Sequence, residues 1–460
     1  MTSTIQTFLF LLGVLALVAV VARRLNVAPS ILLVVAGIGL ALAPGIPRIE
    51  LAPEFVLLVL LPPLIYSAGV SMSWREFRFN LRPIALLAFG CVIFTACAVA
   101  AAAYHLLGMP WTVGFLLGAI VAPPDVVAPL AIARRLGLPR RVLVILEGEG
   151  LANDATALIL YRFAVVAVST GLFSFPQAAG TFAAIVVGEI AYGIAVGWVS
   201  LHLRKWAHDP RVEITLSLMT PYLAYWIPEH FGGSGVLATV ACGLYVSWNG
   251  PLLIPSATRL QGRFFWDLLI YLIEGFVFLV TGFQARALLD QAQNFSIREL
   301  VLATLLVTAI AVAARLIWIF PTTYLPRLLV PGLAKRDPSP NWRVPFVIGF
   351  TGVRGVVSLA AALAIPLTIA SGQPFPYRDM IIFITFGVIF LTLVGLGLTL
   401  PAVIRLLGLA RHADAERRSE REAERAARLE VIDASQQRVR ELIAANKLTG
   451  QQIALLENAT

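Results

Sequence analysis

Charge is scarce in this chain. Only 13% of its 460 residues are Asp, Glu, Lys or Arg, against roughly 25% in a soluble domain, and 59% are hydrophobic. That balance excludes a soluble globular protein and points to a polytopic membrane protein. Cysteine is equally sparse. The three residues Cys91, Cys97 and Cys242 lie in apolar stretches and read as small buried hydrophobes, which excludes a disulfide framework or a thiolate metal site. His105, His202, His208, His230 and His412 show no metal-ligand spacing, and no Gly-rich loop ends in Lys-Ser/Thr, so a membrane-embedded enzyme has little support. The net charge of +9 comes from basic residues in short loops between apolar runs, so it does not indicate a nucleic-acid partner. Met1–Gln6 holds no Lys or Arg and the apolar run to Val21 is span-length, which favours a first transmembrane helix over a cleaved leader.

What the chain does have is about thirteen apolar segments long enough to cross a bilayer. Their limits are 5–22, 29–44, 54–72, 83–106, 111–133, 142–169, 177–201, 212–230, 233–249, 264–288, 299–325, 344–370 and 380–408. Basic residues follow the odd spans: Arg75, Arg78 and Arg82 after the third, for example, and Arg134, Arg135, Arg140 and Arg141 after the fifth. The intervening loops and helix ends hold only Arg48, Arg286, Arg298 and Arg378. By the positive-inside rule the N-terminus is outside and the C-terminus inside, which an odd number of spans satisfies. From Arg411 to about Arg440 the chain turns rich in Ala, Glu and Arg, with opposite charges at helical spacing such as Glu424 and Arg428. This predicts a membrane domain over 1–410 and a charged, cytoplasmic helical tail over 411–460.

Three polar constellations interrupt the apolar spans. In the sixth, Glu147, Glu149, Asn153 and Asp154 occur within Ile145–Leu160, where each carboxylate costs roughly 2.5–3.5 kcal/mol to insert. Asp154 lies roughly 20 Å beyond Arg141 along a helix, near the middle of a core about 30 Å thick. Glu149 and Asp154 point about 140° apart, so one can face a watery cavity while the other pairs with a buried cation. In the fifth span, Pro123 and Pro124 remove two backbone donors beside Asp125, so the helix must break or kink there. Unwound backbone at that depth lines a cavity or is buried in protein, and Asp125 can cap a half-helix or coordinate a cation. In the twelfth span, Arg354 lies between Gly352 and Gly355, roughly 16 Å past Arg343. A guanidinium there needs a buried anion, and Glu149 is the candidate partner. Interrupted segments at mid-membrane in both halves of a chain point to an inverted-repeat, ion-coupled secondary transporter, without naming the ion.

These residues resemble the sodium/proton exchangers of the monovalent cation:proton antiporter superfamily. The resemblance rests on EGEGLANDATAL (147–158), APPDVVAP (122–129), FTGVRGVVSLAAALAIP (350–366) and GGSGVLATVACGLYV (232–246). It extends through LPPLIYSAGVSM (61–72), NLRPIALLA (80–88) and FVFLVTGFQ (276–284), covering nearly the whole membrane part. It implies an all-α fold of inverted repeats with two crossing, unwound helices. A moving core would comprise roughly 83–170 and 299–408, and a static dimer-interface bundle roughly 5–72 and 177–288. Asp154 then matches the carboxylate that carries ion or proton, Asn153 its neighbour, and Asp125 the acid of the unwound segment, with Na⁺ held at Asp154 and Asp125. Glu149 and Arg354 match a structural ion pair. Related electrogenic exchangers carry Asp-Asp where this chain has Asn153-Asp154, so the resemblance implies electroneutral, one-for-one exchange.

The chain departs from that pattern at several positions. Pro124 stands where a Thr is common before the span-five Asp, and Gly150 where a Ser is common after the span-six Glu. Tyr66 and Ser67 replace a carboxylate common in span three, while Glu274 and Glu189 add carboxylates in spans ten and seven. Ser358 is a supporting site candidate. Arg315, deep in span eleven, is expected to neutralise an acidic neighbour in the core. The expected activity is Na⁺ (or Li⁺)/H⁺ antiport in an inner, plasma-type membrane, in a homodimer, without cofactor. K⁺/H⁺ exchange and a passive cation channel stand as alternatives.

Overall fold

Proline decides where several helices of this chain bend and where one of them breaks. The structure, a computed structural model, describes residues 2–25, 27–44, 52–291 and 296–445. In chain order the helices are α1 (Thr2–Leu25), α2 (Pro29–Leu42), α3 (Pro53–Ser71), α4 (Trp74–Phe79), α5 (Leu81–Leu107), α6 (Trp111–Val121), α7 (Val127–Leu136) and α8 (Arg140–Thr170). There follow α9 (Phe175–Ala207), α10 (Pro210–His230), α11 (Val236–Leu253), α12 (Ser256–Gln291), α13 (Ile297–Leu329) and α14 (Leu333–Arg336). The last are α15 (Arg343–Phe350), α16 (Val356–Leu363), α17 (Arg378–Leu406) and α18 (Leu409–Ala444). Among the described residues there is no strand, only an isolated bridge between Thr368 and Pro374.

Each expected span coincides with a helix or a pair of half-helices. Among the described residues, eight helices are long and apolar enough to cross a bilayer by length and composition alone, whereas α2 and α6 are apolar but shorter. The span expected over 344–370 is two half-helices ending at Leu363, because Pro366, Gly372, Pro374 and Pro376 follow and cannot sustain a helix. In the tail, α18 holds Glu424 and Arg428 paired at 2.7 Å. Arg48 and residues 446–460 lie outside the described residues.

Where proline only bends a helix, other side chains take up the freed carbonyls. Pro62 and Pro63 in α3 cannot donate to Leu58 and Val59, and the backbone widens into a π-helical turn over Val56–Leu60. Trp226 Nε1 then donates to the Leu58 oxygen at 2.8 Å and the Tyr222 hydroxyl to that of Val59 at 3.1 Å, fastening α10 to α3. Elsewhere small residues set the spacing. A β-carbon on Gly282 of α12 would come within 2.8 Å of the Gly37 Cα of α2, so these helices touch backbone to backbone. In α9, only 17% of the most apolar stretch is buried, against 39–56% in the other long spans, so its Val187, Ile194 and Trp198 face outward.

One loop acid ties three helices together. Asp337, just after α14, accepts from Arg82 of α5 at 2.6 Å and Arg327 of α13 at 2.8 Å, and lies 2.8 Å from Arg141 of α8 in an ion pair. Partial burial disfavours its charge, but Arg141 and Arg327 outweigh that and hold the carboxyl below its usual range. A lowered value means the stabilisation is complete above the ordinary Asp range and is lost only as pH falls through the lowered one. Asp337→Asn should therefore cost about 1–2 kcal/mol near neutral pH. The difference in thermal stability from the unmodified protein should shrink only in acid below the ordinary Asp range.

Candidate ion-binding cavity

The adjacent prolines Pro123 and Pro124 do not bend the helix; they end α6, and the chain runs unwound over 122–126 before α7 begins. A second break over 351–355 separates α15 from α16. The two breaks satisfy each other. The Asp125 amide donates to the Val353 carbonyl at 2.7 Å, and Arg354 Nε donates to the Val121 carbonyl. Arg354 Nη1 donates to the Gly352 oxygen at 2.8 Å, and the Arg354 amide donates to the Thr392 hydroxyl at 2.9 Å, where a π-helical turn of α17 begins. Asp125 packs on Gly355, where a β-carbon would come within 2.6 Å of its Cγ. Only glycine leaves room for the two unwound segments to cross.

Asp125 also meets the start of α7: its Oδ1 accepts from the Val127 amide at 2.8 Å, a first-turn donor that has no partner within the helix. Asn153 of α8 reaches the same break, donating from Nδ2 to the Pro124 carbonyl at 2.7 Å, and its buried Oδ1 has no hydrogen-bond partner. One turn-face away on α8, Asp154 opens on a cavity of 480 Å³ that Asp125, Pro124, Gly150, Ser358 and Glu274 also line. The structure thus gathers around one space most of the residues singled out from the sequence. Asn153 holds the break from behind, and Glu149, Arg315 and Arg354 are not among the cavity-lining residues. Glu189 serves elsewhere: it is buried and accepts from the amides of Ser234, Gly235 and Leu237, at the start of α11.

The expected pairing of Glu149 with Arg354 does not form. Glu149 instead makes a two-pronged pair with Arg315 of α13, Nη2 to Oε2 at 2.8 Å, and both side chains are essentially fully buried. Arg315 Nη2 also donates to the Ile348 carbonyl at 3.0 Å. Arg315 is thus the cation that neutralises a core acid. Arg354 makes no ion pair among the described residues; its guanidinium donates to the Val121 and Gly352 carbonyls that the two breaks release and, at 3.5 Å, to the Ala311 carbonyl of α13. Depth along a helix could place both arginines near mid-membrane, but could not say which one faced Glu149.

Glu147, noted in the sixth span without a role, lines the cavity and is paired with Arg134. Two residues escaped the sequence reading. Asp267 and Tyr271 also line the cavity. With Glu274 they fall at i, i+4 and i+7 of α12, a one-face spacing that the sequence does carry. Asp125, Glu147, Asp154, Asp267 and Glu274 face Arg134 as the only basic group among the lining residues, so the cavity concentrates cations. At Gly150 a β-carbon would lie 3.0 Å or less from Val126 Cγ1 and Cγ2, so packing excludes a serine there unless Val126 moves. Among the described residues no group of His, Cys, Asp and Glu has the arrangement of a resident metal site.

The family model for the sodium/hydrogen exchanger, transmembrane, matches residues 10–406. The chain belongs to the sodium/hydrogen exchanger family. An uncharacterized Na(+)/H(+) exchanger of Mycobacterium tuberculosis is 37% identical over 84% of this chain and 71% of its own length. A Na(+)/H(+) antiporter of Aphanothece halophytica is 33% identical over 86% of this chain and 73% of its own. A sodium, potassium, lithium and rubidium/H(+) antiporter of Bacillus pumilus is 31% identical over 86% and 61%. The solved sodium proton antiporter MjNhaP1 of Methanocaldococcus jannaschii shares the fold, with a TM-score of 0.66 at 20% identity, covering 88% of this chain and 99% of that one. This exchanger is an integral membrane transporter, not an enzyme.

In this exchanger the Glu149–Arg315 pair should be structural. Arg315→Gln should leave Glu149 buried without a counter-charge and lower stability by about 3–5 kcal/mol. Thermal unfolding of the purified protein in detergent measures that loss. A Glu149→Gln/Arg315→Met double variant, with no stranded charge, should recover much of it.

Proposed function

We propose that this exchanger is a secondary antiporter trading Na⁺ or Li⁺ for H⁺ across the plasma membrane, with cation and proton competing at Asp154. The observation that carries this is the meeting of Asp125 and Asp154, from a broken helix and an intact one, on a single acid-lined cavity. Sodium favours hard oxygen ligands, and carboxylate and carbonyl oxygens at a break supply them. Asp154 takes either a proton or a dehydrated cation, and Asp125 and main-chain oxygens complete the shell. Only the occupied site crosses readily, because an empty charged carboxylate is costly to carry through the bundle. Exchange follows without ATP or redox chemistry.

One-for-one, electroneutral exchange fits Asn153. Its neutral amide, tied to the Pro124 carbonyl, stands where a second carboxylate would add a charge. The cavity reaches Arg134 and Glu147 at one end; by the positive-inside rule that end would lie inside, with the N-terminus outside across thirteen crossings. Toward the other end of α8, Arg162 pairs with Glu229 of α10 and ties the two sides of the bundle together. Alternating access would break this pair as the core (83–170 and 299–408) moves against the scaffold (5–72 and 177–288). The outward apolar face of α9 suits a homodimer through the scaffold. The charged tail over 411–460 would lie inside.

A second reading concerns the cargo. Pro124 and Gly150 offer no hydroxyl, and the Bacillus pumilus relative is named for four cations, so K⁺ is the alternative ion.

The test is cation-induced proton movement in proteoliposomes, comparing Na⁺, Li⁺ and K⁺ with and without a clamp on membrane potential. Movement driven by Na⁺ or Li⁺ and indifferent to the clamp is expected, and Asp154→Asn should abolish it without changing insertion or oligomeric state. Exchange retained by Asp154→Asn would overturn the assignment of that residue, and a clear K⁺ preference would select the second reading.

A further inference from the structure

Hydroxyls buried in the helices of this exchanger are mostly spent close to home. Thr156, Thr239, Thr281 and Thr304 each donate to the carbonyl one turn earlier, and Ser200 and Thr220 satisfy each other at 2.7 Å. Ser358, the third residue of α16, behaves differently. It is 3% exposed, and among the described residues its hydroxyl makes no hydrogen bond. It lines the ion cavity instead. A hydroxyl left without a partner at that depth is costly, so an occupant of the cavity has to answer it. Water does so while the cavity is open, and a dehydrated cation displaces that water.

The crossing of the two breaks sets where this hydroxyl stands. Asp125 packs on Gly355, at the start of α16, and Ser358 follows three residues later, about one helical turn away. Asp154 opens on the same cavity. Pro124 and Gly150 offer no hydroxyl there, and Val126 fills the space that a side chain at Gly150 would need. Among the described residues, four hydroxyls line the cavity: Ser67 and Ser71 of α3, Tyr271 of α12 and Ser358. The first three belong to the scaffold. Ser358 alone stands on the core with Asp125 and Asp154, so it alone would stay beside the cation as the core moves.

We infer, resting on the antiport reading above, that the Ser358 hydroxyl is a ligand of the transported cation, together with Asp125 and Asp154. A serine hydroxyl is a hard, neutral oxygen. It enlarges the shell without adding charge, so one cation still balances one proton. Its lone pair faces the cation while its O–H donates to a carboxylate oxygen that the cation leaves free. When a proton takes the place of the cation, the same hydroxyl accepts from the protonated carboxyl. Ser358 thereby remains partnered in both loaded states, which its lack of a protein partner otherwise leaves unexplained.

The experiment compares the full-length protein with Ser358→Ala and with Ser358→Cys, the second of nearly native size but with a soft sulfur in place of the oxygen. Calorimetric titration of each purified protein with Na⁺, Li⁺ and K⁺ reads binding, and proteoliposomes read exchange. Both variants should bind the cation that drives exchange about tenfold more weakly and raise its KM by about the same factor. The rate at saturating cation should stay within about twofold of the unmodified protein. Unchanged affinity and KM in both variants would overturn the assignment. A lowered maximal rate at unchanged KM would also overturn it, because that marks a structural role. So would native affinity in Ser358→Cys beside a loss in Ser358→Ala, which marks packing rather than an oxygen ligand. Cation binding without any exchange in the unmodified protein would overturn the antiport reading, and the binding comparison would still decide Ser358.

Discussion

Two stretches of unwound backbone cross in the middle of this protein, and the surrounding structure is arranged so that neither leaves polar groups stranded in an apolar interior. An amide or carbonyl without a partner at that depth costs several kcal/mol, so a break in one helix is tolerable only with a matching break beside it. The chain meets this reciprocally. The Asp125 amide uses the Val353 carbonyl, Arg354 uses the carbonyls of Val121 and Gly352, and Asn153 uses that of Pro124. Gly355 makes the crossing close enough to work, and Thr392 fixes its back.

That arrangement divides the buried charges by role. Arg354 is bound to main-chain oxygens and so stabilises the crossing itself. The acid Glu149 is left to Arg315, a rigid two-pronged pair that ties α8 to α13 away from the cavity. Among the described residues, Asp125 and Asp154 have no such partner. Their carboxylates stay at the cavity wall, where a mobile cation or a proton can answer them. A fixed guanidinium beside either one would neutralise the site and exclude its cargo.

Charge is sorted on a larger scale as well. The charged residues lining the cavity that holds Asp125 and Asp154 are five acids and one arginine, while those lining a neighbouring groove between α1, α2, α7 and α17 are arginines alone. The two share Ala131 and Tyr271. A membrane protein with so few charges places them where they act, because elsewhere in its spans they are costly.

How much of this was legible without coordinates follows from what each signal encodes. Hydropathy and the loop arginines gave the helices, because a helix in a bilayer must be long and apolar. The pair Pro123–Pro124 announced its break, since proline acts on its own backbone. The segments around Asp125, Asp154 and Arg354 were visible as polar residues at the wrong depth. Lateral geometry was not. Distance along a helix put Arg315 and Arg354 at comparable depths, and the choice of partner for Glu149 turned on which way α13 faces α8. The wall formed by Asp267 and Glu274 depended likewise on where α12 packs, although their spacing already placed them on one face. The sequence by itself therefore determined the elements, their breaks and the buried carboxylates, because those are properties of a single segment in a bilayer. Only the tertiary structure decided which charges meet, because that depends on how separate helices are rotated and set against one another.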